Sequence, residues 1–121
     1  MDESKRNDFS IPAGGDRLLV ITVSEQDGNL MNLTGCLIKW ALCTAPPKLA
    51  SVVTKESTTG AIRIADQTSA RGQFTVQLDG ADTKTLPAGT YYHEARVTDS
   101  DGNSDIVVDG LVTLFGSPTA E

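Results

Sequence analysis

Apolar and polar residues alternate with period two along nearly every segment of this chain, the signature of strands that bury one face. In RLLVITV, residues 17–23, Leu19, Ile21 and Val23 share a face; in CLIKWALC, residues 36–43, Cys36, Ile38, Trp40 and Leu42 do so, with Lys39 and Ala41 opposite. GQFTVQL, residues 72–78, sets Phe74, Val76 and Leu78 strictly against Gln73, Thr75 and Gln77, so its polar side is expected in water. YYHEARV, residues 91–97, sends Tyr91, His93, Ala95 and Val97 inward and Tyr92, Glu94 and Arg96 outward. The tract from Ile106 to Phe115 is apolar on most positions of both faces, which predicts a central strand or one flanked by a partner. With the short segments Ile62–Ile64 and Ser51–Lys55, the pattern predicts an all-β, immunoglobulin-like antiparallel β-sandwich of about seven strands. Helical periodicity is nowhere sustained. The best short helical turn runs from Asp82 to Leu86, opened by a capping-type Asp and stopped by Pro87.

A chain of 121 residues makes one domain, which buries about two-thirds of the surface its unfolded form exposes and needs neither metal nor disulfide to hold it. Residues 1–8 read as a flexible polar arm, 9–115 as the folded domain and 116–121 as a short tail, both ends polar and turn-rich. Sixteen acidic residues against ten basic ones give a net charge of −6, which repels phosphate backbones and anionic lipid, so neither nucleic acid nor a membrane is an expected partner. The N-terminus has no apolar stretch of the kind an export signal needs, and Lys39, Asp109 and several glycines interrupt the longest apolar runs, so neither export nor a membrane span is expected. Cys36 and Cys43 are the only cysteines. On one extended strand their Cα atoms lie roughly 23 Å apart, far beyond disulfide reach, so they read as ordinary thiols made in a reducing compartment.

DSDGNSD, residues 99–105, offers the most suggestive chemistry, because it places three carboxylates around a glycine. An EF-hand frame with Gly102 at the sharp bend puts Asp99 and Asp101 at ligand positions, but Val97 and Val108 at the two others that need oxygen. The companion stretch EQDGN, residues 25–29, lacks that set of carboxylates yet follows an alternating strand in the same way. Both therefore read as tight turns, with weak cation binding by Asp99 and Asp101 left as the alternative. His93, the sole histidine, sits on a core-facing row with no local nucleophile or orienting carboxylate, and a meeting with Cys36 or Cys43 across a sheet would carry no protease signature. Ala13 to Asp16, AGGD, lacks the lysine and the strand-to-helix setting of a phosphate loop. Pro87 and Gly89 steer the chain into the Tyr91 strand, and the Tyr91 hydroxyl needs a partner near the sheet edge, as in the tyrosine corner of sandwich folds. No catalytic, cofactor-binding or metal-binding residue is assigned, no cofactor is expected, and the chain is not expected to be an enzyme.

Taken in order, Leu33-Thr34-Gly35 before Trp40, the corner from Leu86 to Glu94 and the Asp99–Gly102 turn resemble the small immunoglobulin-like domains of tailed-phage virion proteins. The resemblance spans roughly residues 9 to 115 and is strongest to the N-terminal domain of the baseplate upper protein family and related tail, neck and head-surface components. It implies a non-enzymatic structural subunit of a bacteriophage or prophage particle: a tail, baseplate or neck adaptor or a capsid-surface accessory, made and folded in the host cytoplasm and located in the virion. Its partners would be other virion structural proteins, in a homo-oligomer or on a symmetric assembly. Leu18, Val20, Leu37, Val107, Leu111 and Phe115, opposite the core rows, would supply a contact patch. The other reading of the same fold is a carbohydrate- or cell-surface-binding module, for which the six aromatics, with the one Trp in a strand, are a sparse endowment.

Overall fold

The computed structural model describes residues 8–24, 28–44 and 51–116. These form eight strands: β1 (Phe9–Pro12), β2 (Arg17–Thr22), β3 (Leu37–Thr44), β4 (Ser51–Glu56), β5 (Ile62–Ile64), β6 (Gln73–Leu78), β7 (Gly89–Thr98) and β8 (Ser104–Phe115). One sheet has the order β1-β8-β7-β3-β4 and the other β2-β6-β5. With β2, β6 and β5 on one side, and β3, β7 and β8 on the other extended by β4 beside β3, the strands follow the Greek-key plan of an immunoglobulin-like sandwich.

The period-two reading of the sequence is realised side chain by side chain. Leu19, Ile21, Ile38, Trp40, Leu42, Phe74, Val76, Leu78, Tyr91, His93, Ala95 and Val97 all face the space between the sheets and are buried. Alternation fixes register here, because sliding any strand by one residue would put its whole apolar row into water. β8 is flanked on both sides, by β7 and β1, as expected of an interior strand; its inner row, Val108, Val112 and Leu114, is buried, whereas Leu111 and Phe115 on the outer face remain exposed.

Three details differ from the sequence reading. An additional strand, β1, pairs with β8 in parallel, Phe9 opposite Val112 and Pro12 opposite Phe115, so the sandwich is not wholly antiparallel. A four-residue strand ending in proline shows no alternation long enough to detect, and Pro12 stands where an edge strand tolerates it. The helical turn starts earlier than expected, as α1 (Gly80–Thr83) with Asp79 at its N-cap; Asp82 sits inside it, its Oδ2 accepting from the Asp79 amide at 2.8 Å. Finally, Cys43 is buried although its row faces outward; the β3–β4 register shifts by a bulge between Leu42 and Cys43. The proposed arm and tail lie outside the described residues except for Asp8 and Gly116.

AGGD finds a packing role. A Cβ on Gly80 would run into the Gly14 carbonyl, Gly14 donates to Thr83 Oγ1 at 3.1 Å, and the Gly80 amide donates to Asp16 Oδ1 at 2.7 Å. The glycines let two backbones touch and seat α1 on the loop between β1 and β2.

Candidate functional site

His93, the one candidate for general-base chemistry, is fully buried in β7. Trp40 in β3 donates its indole N–H to His93 Nδ1 at 3.0 Å, and the Phe9 ring meets the imidazole edge-on with centroids 5.0 Å apart. A nitrogen that accepts carries no proton, so this ring is the tautomer protonated at Nε2. His93 stands two residues after Tyr91, where antibody domains place the second cysteine of their inter-sheet disulfide beside a buried tryptophan. A tryptophan–histidine hydrogen bond occupies that place here. Tyr91 completes the corner expected from sequence, donating its hydroxyl to the Pro87 carbonyl at 2.6 Å.

The thiols do not join His93. Cys43 lies opposite Tyr92, on the other face of the sheet from His93, with its Sγ 3.5 Å from the Tyr92 carbonyl. Cys36 immediately precedes β3, at the end far from His93; burial, and then the Asp99 charge, push its thiol above the ordinary value, the reverse of what a reactive thiolate needs.

DSDGN is a hairpin turn between β7 and β8 that consumes its own carboxylate. Asp99 Oδ1 accepts from the amides of Asp101 and Asn103, both at 2.9 Å, while Gly102 donates to the Asp99 carbonyl at 3.0 Å. Gly102 takes φ 88°, a left-handed value that glycine adopts without strain. Of the companion stretch, Glu25 to Asp27 lie outside the described residues; Gly28 has φ 88°, and Ser24 and Leu30 form a single bridge before the chain crosses to the other sheet. On the outer face of the larger sheet Asp109 lies across from Glu94, and Tyr92 donates to Asp109 Oδ2 at 3.4 Å. Burial and the Asp109 charge push the Tyr92 phenol up to about 12. Asp109 Oδ1 is buried with no hydrogen-bond partner, but among the described residues no group of three or more His, Cys, Asp or Glu is placed to hold a metal ion. No helix among them is long and apolar enough to cross a membrane.

The six outward apolar residues do not form one patch. Leu37, Leu111 and Phe115 are exposed on the larger sheet, Val107 packs partly against the core, and Leu18 and Val20 lie on the outside of the smaller sheet. There the face is open: Leu18 is 54% and Val20 53% exposed. Across it run Val20, Thr75 and Arg63 in one row, with Leu18 and Gln77 in the next. A shallow groove of about 380 Å³ is lined by Leu18, Arg63, Thr75, Gln77 and Lys55 among others. Lys55 is held at one end by Asp82, 2.8 Å away, whereas Arg63 is exposed and has no ion pair among the described residues. On this face two branched aliphatics, two residues apart on one strand, are each more than half exposed. Sequence alternation pointed to Leu18 and Val20 but could not say that Arg63 would stand beside them, because β5 and β2 meet only through β6.

Neither a protein-family model nor a curated protein matches the chain. Among solved structures it is similar to CopC from Methylosinus trichosporium OB3b, with 17% identity and a TM-score of 0.45, over 93% of this chain and 87% of that one. The expectation of a bacteriophage structural subunit, together with its tail, baseplate, neck or capsid-surface placement, is therefore withdrawn: the likeness among solved structures is to CopC, and no family model or curated protein supports a phage role. A sandwich carries no fixed role, so an ordered set of strands and a tyrosine corner could be legible in the sequence while the biological setting attached to them was not. At this distance the likeness concerns the course of the chain and transfers no function.

Proposed function

We propose that this domain is a non-enzymatic binding module that docks a protein partner through the outer face of its smaller sheet. The observation that carries this reading is the pair Leu18 and Val20, each more than half exposed, beside the groove and Arg63, which has no ion pair among the described residues. Two branched aliphatics in water are worth about 1.5–3 kcal/mol each when a partner covers them fully, and a guanidinium at their margin selects a partner carrying a carboxylate at that point. The chemistry-bearing residues argue in the same direction. His93 is engaged by Trp40, Asp99 by its own turn, and Cys36 holds its proton.

Site-specific photo-crosslinking tests it. A photoreactive side chain at Leu18 should give one discrete adduct in cells, and Arg63→Glu should diminish that adduct, while the same group at Thr54 on the larger sheet should give none. Adducts at Thr54 and none at Leu18 would overturn the assignment.

A further inference from the structure

The backbone of β2 carries a second message, separate from its side chains. Val23 donates to the Gly72 carbonyl at 2.8 Å, and the β2–β6 register continues unbroken from Arg17 opposite Leu78 to Thr22 opposite Gln73. Alternate residues of an antiparallel strand turn their N–H and C=O to the same neighbour, so Leu19 and Ile21 bond to β6. The main-chain groups of Leu18, Val20 and Thr22 point the other way. Nothing pairs with them among the described residues, because β1, the strand that might have covered this edge, sits on β8 instead.

Open edges are hazards that folded chains blunt with short strands, proline, bulges or inward-pointing charges. Three of the four edges in this sandwich are blunted in this way. β1 is four residues long and ends in Pro12; β4 carries a bulge and turns Lys55 inward to Asp82; β5 is three residues long with Arg63 at its centre. β2 is six residues of regular strand with no proline and no bulge. Its one charge, Arg17, stands at the first position with its guanidinium 5.9 Å from the Phe9 ring centroid. A shallow hollow lined by Phe9, Arg17, Leu18, Leu19 and Val20 runs beside it.

We propose that β2 is a pairing edge whose occupant is β2 of a second copy of this chain, joined antiparallel about a two-fold axis into a continuous six-stranded sheet. The strand is complementary to itself. Centred on Leu19, the two-fold register sets Leu18 opposite the partner's Val20 and Val20 opposite the partner's Leu18, giving two aliphatic cross-strand pairs on the open face. Arg17 then lies opposite the partner's Ile21, so no like charges meet although the chain as a whole carries −6. Six residues of edge make a contact below the size of a standard stable interface, so the dimer is weak and depends on concentration. Pairing leaves the outer face free and doubles it, which gives a docking partner two copies of the same surface. The edge does not depend on that docking, and its test uses the protein alone.

Sedimentation velocity between about 10 µM and about 1 mM should show the chain passing from monomer to dimer. Val20→Lys and Val20→Glu, at an exposed position that accepts charge without unfolding the domain, should each weaken association at least about tenfold, because each charge then replaces the aliphatic partner of Leu18 and meets its like on the diagonal across the axis, about 7–8 Å away. An equimolar mixture of the two variants should associate again. Thr54→Lys, on the blunted β4, should leave association unchanged, and circular dichroism should be the same for all. A monomer throughout the range, a Val20→Lys variant that dimerises as well as the unsubstituted chain, or a mixture that stays monomeric would each overturn the proposal.

Discussion

The Trp40–His93 hydrogen bond lies in the centre of the sandwich and, within the larger sheet, adds a side-chain tie to the β3–β7 ladder where both residues are fully buried. Replacing His93 by Leu leaves the indole N–H without an acceptor in a closed core, which should cost about 1–3 kcal/mol in urea unfolding. Trp40→Phe should cost more than its lost area alone implies, since the imidazole nitrogen is then orphaned. In the double variant the two losses should fall short of their sum by about 0.5–3 kcal/mol, and strict additivity would show that the bond contributes nothing. The inward position of His93 was legible from alternation in YYHEARV. Its partner was not, because Trp40 lies 53 residues away and only the β3–β7 register brings them together. Gln67 shows the same limit: its Oε1 accepts from the amides of both Leu33 and Gly72 at 2.9 Å, and nothing local in the sequence marks it.

Among the elements, the β7–β8 hairpin shows how a motif can be read two ways and settled by hydrogen bonding. Asp99 spends its carboxylate on amides of its own turn, so it belongs to the architecture of the hairpin. Asp99→Ala should destabilise the domain by about 0.5–2 kcal/mol, the range for losing a carboxylate cap on backbone amides, and millimolar calcium should neither bind in calorimetry nor raise the melting temperature of the unsubstituted chain. Stoichiometric calcium binding lost in Asp101→Ala would contradict this. Most of the seven expected strands announced themselves by an alternating apolar row; β4, with only the adjacent Val52 and Val53, was legible as a short β-branched run. β1 was not legible, because Ile11 is the only fully buried residue in its four, and its place beside β8 is decided by parallel pairing that leaves no local pattern.

For the whole molecule, the sandwich follows from arithmetic on apolar rows, while the setting in which it works does not, since the same two-layer plan serves many unrelated purposes. What the fold does impose is an asymmetry: three edges are guarded and one, β2, has no strand beside it among the described residues and carries Leu18 and Val20, each more than half exposed. That asymmetry is the centre of the account, and amide hydrogen exchange along β2 reads it directly, at a concentration where the chain sediments as a monomer. Leu19 and Ile21, bonded to β6, should be protected, and Leu18, Val20 and Thr22 should exchange at least about a hundredfold faster, in strict alternation. Equal protection of all five amides in the monomer would mean that the edge is already covered.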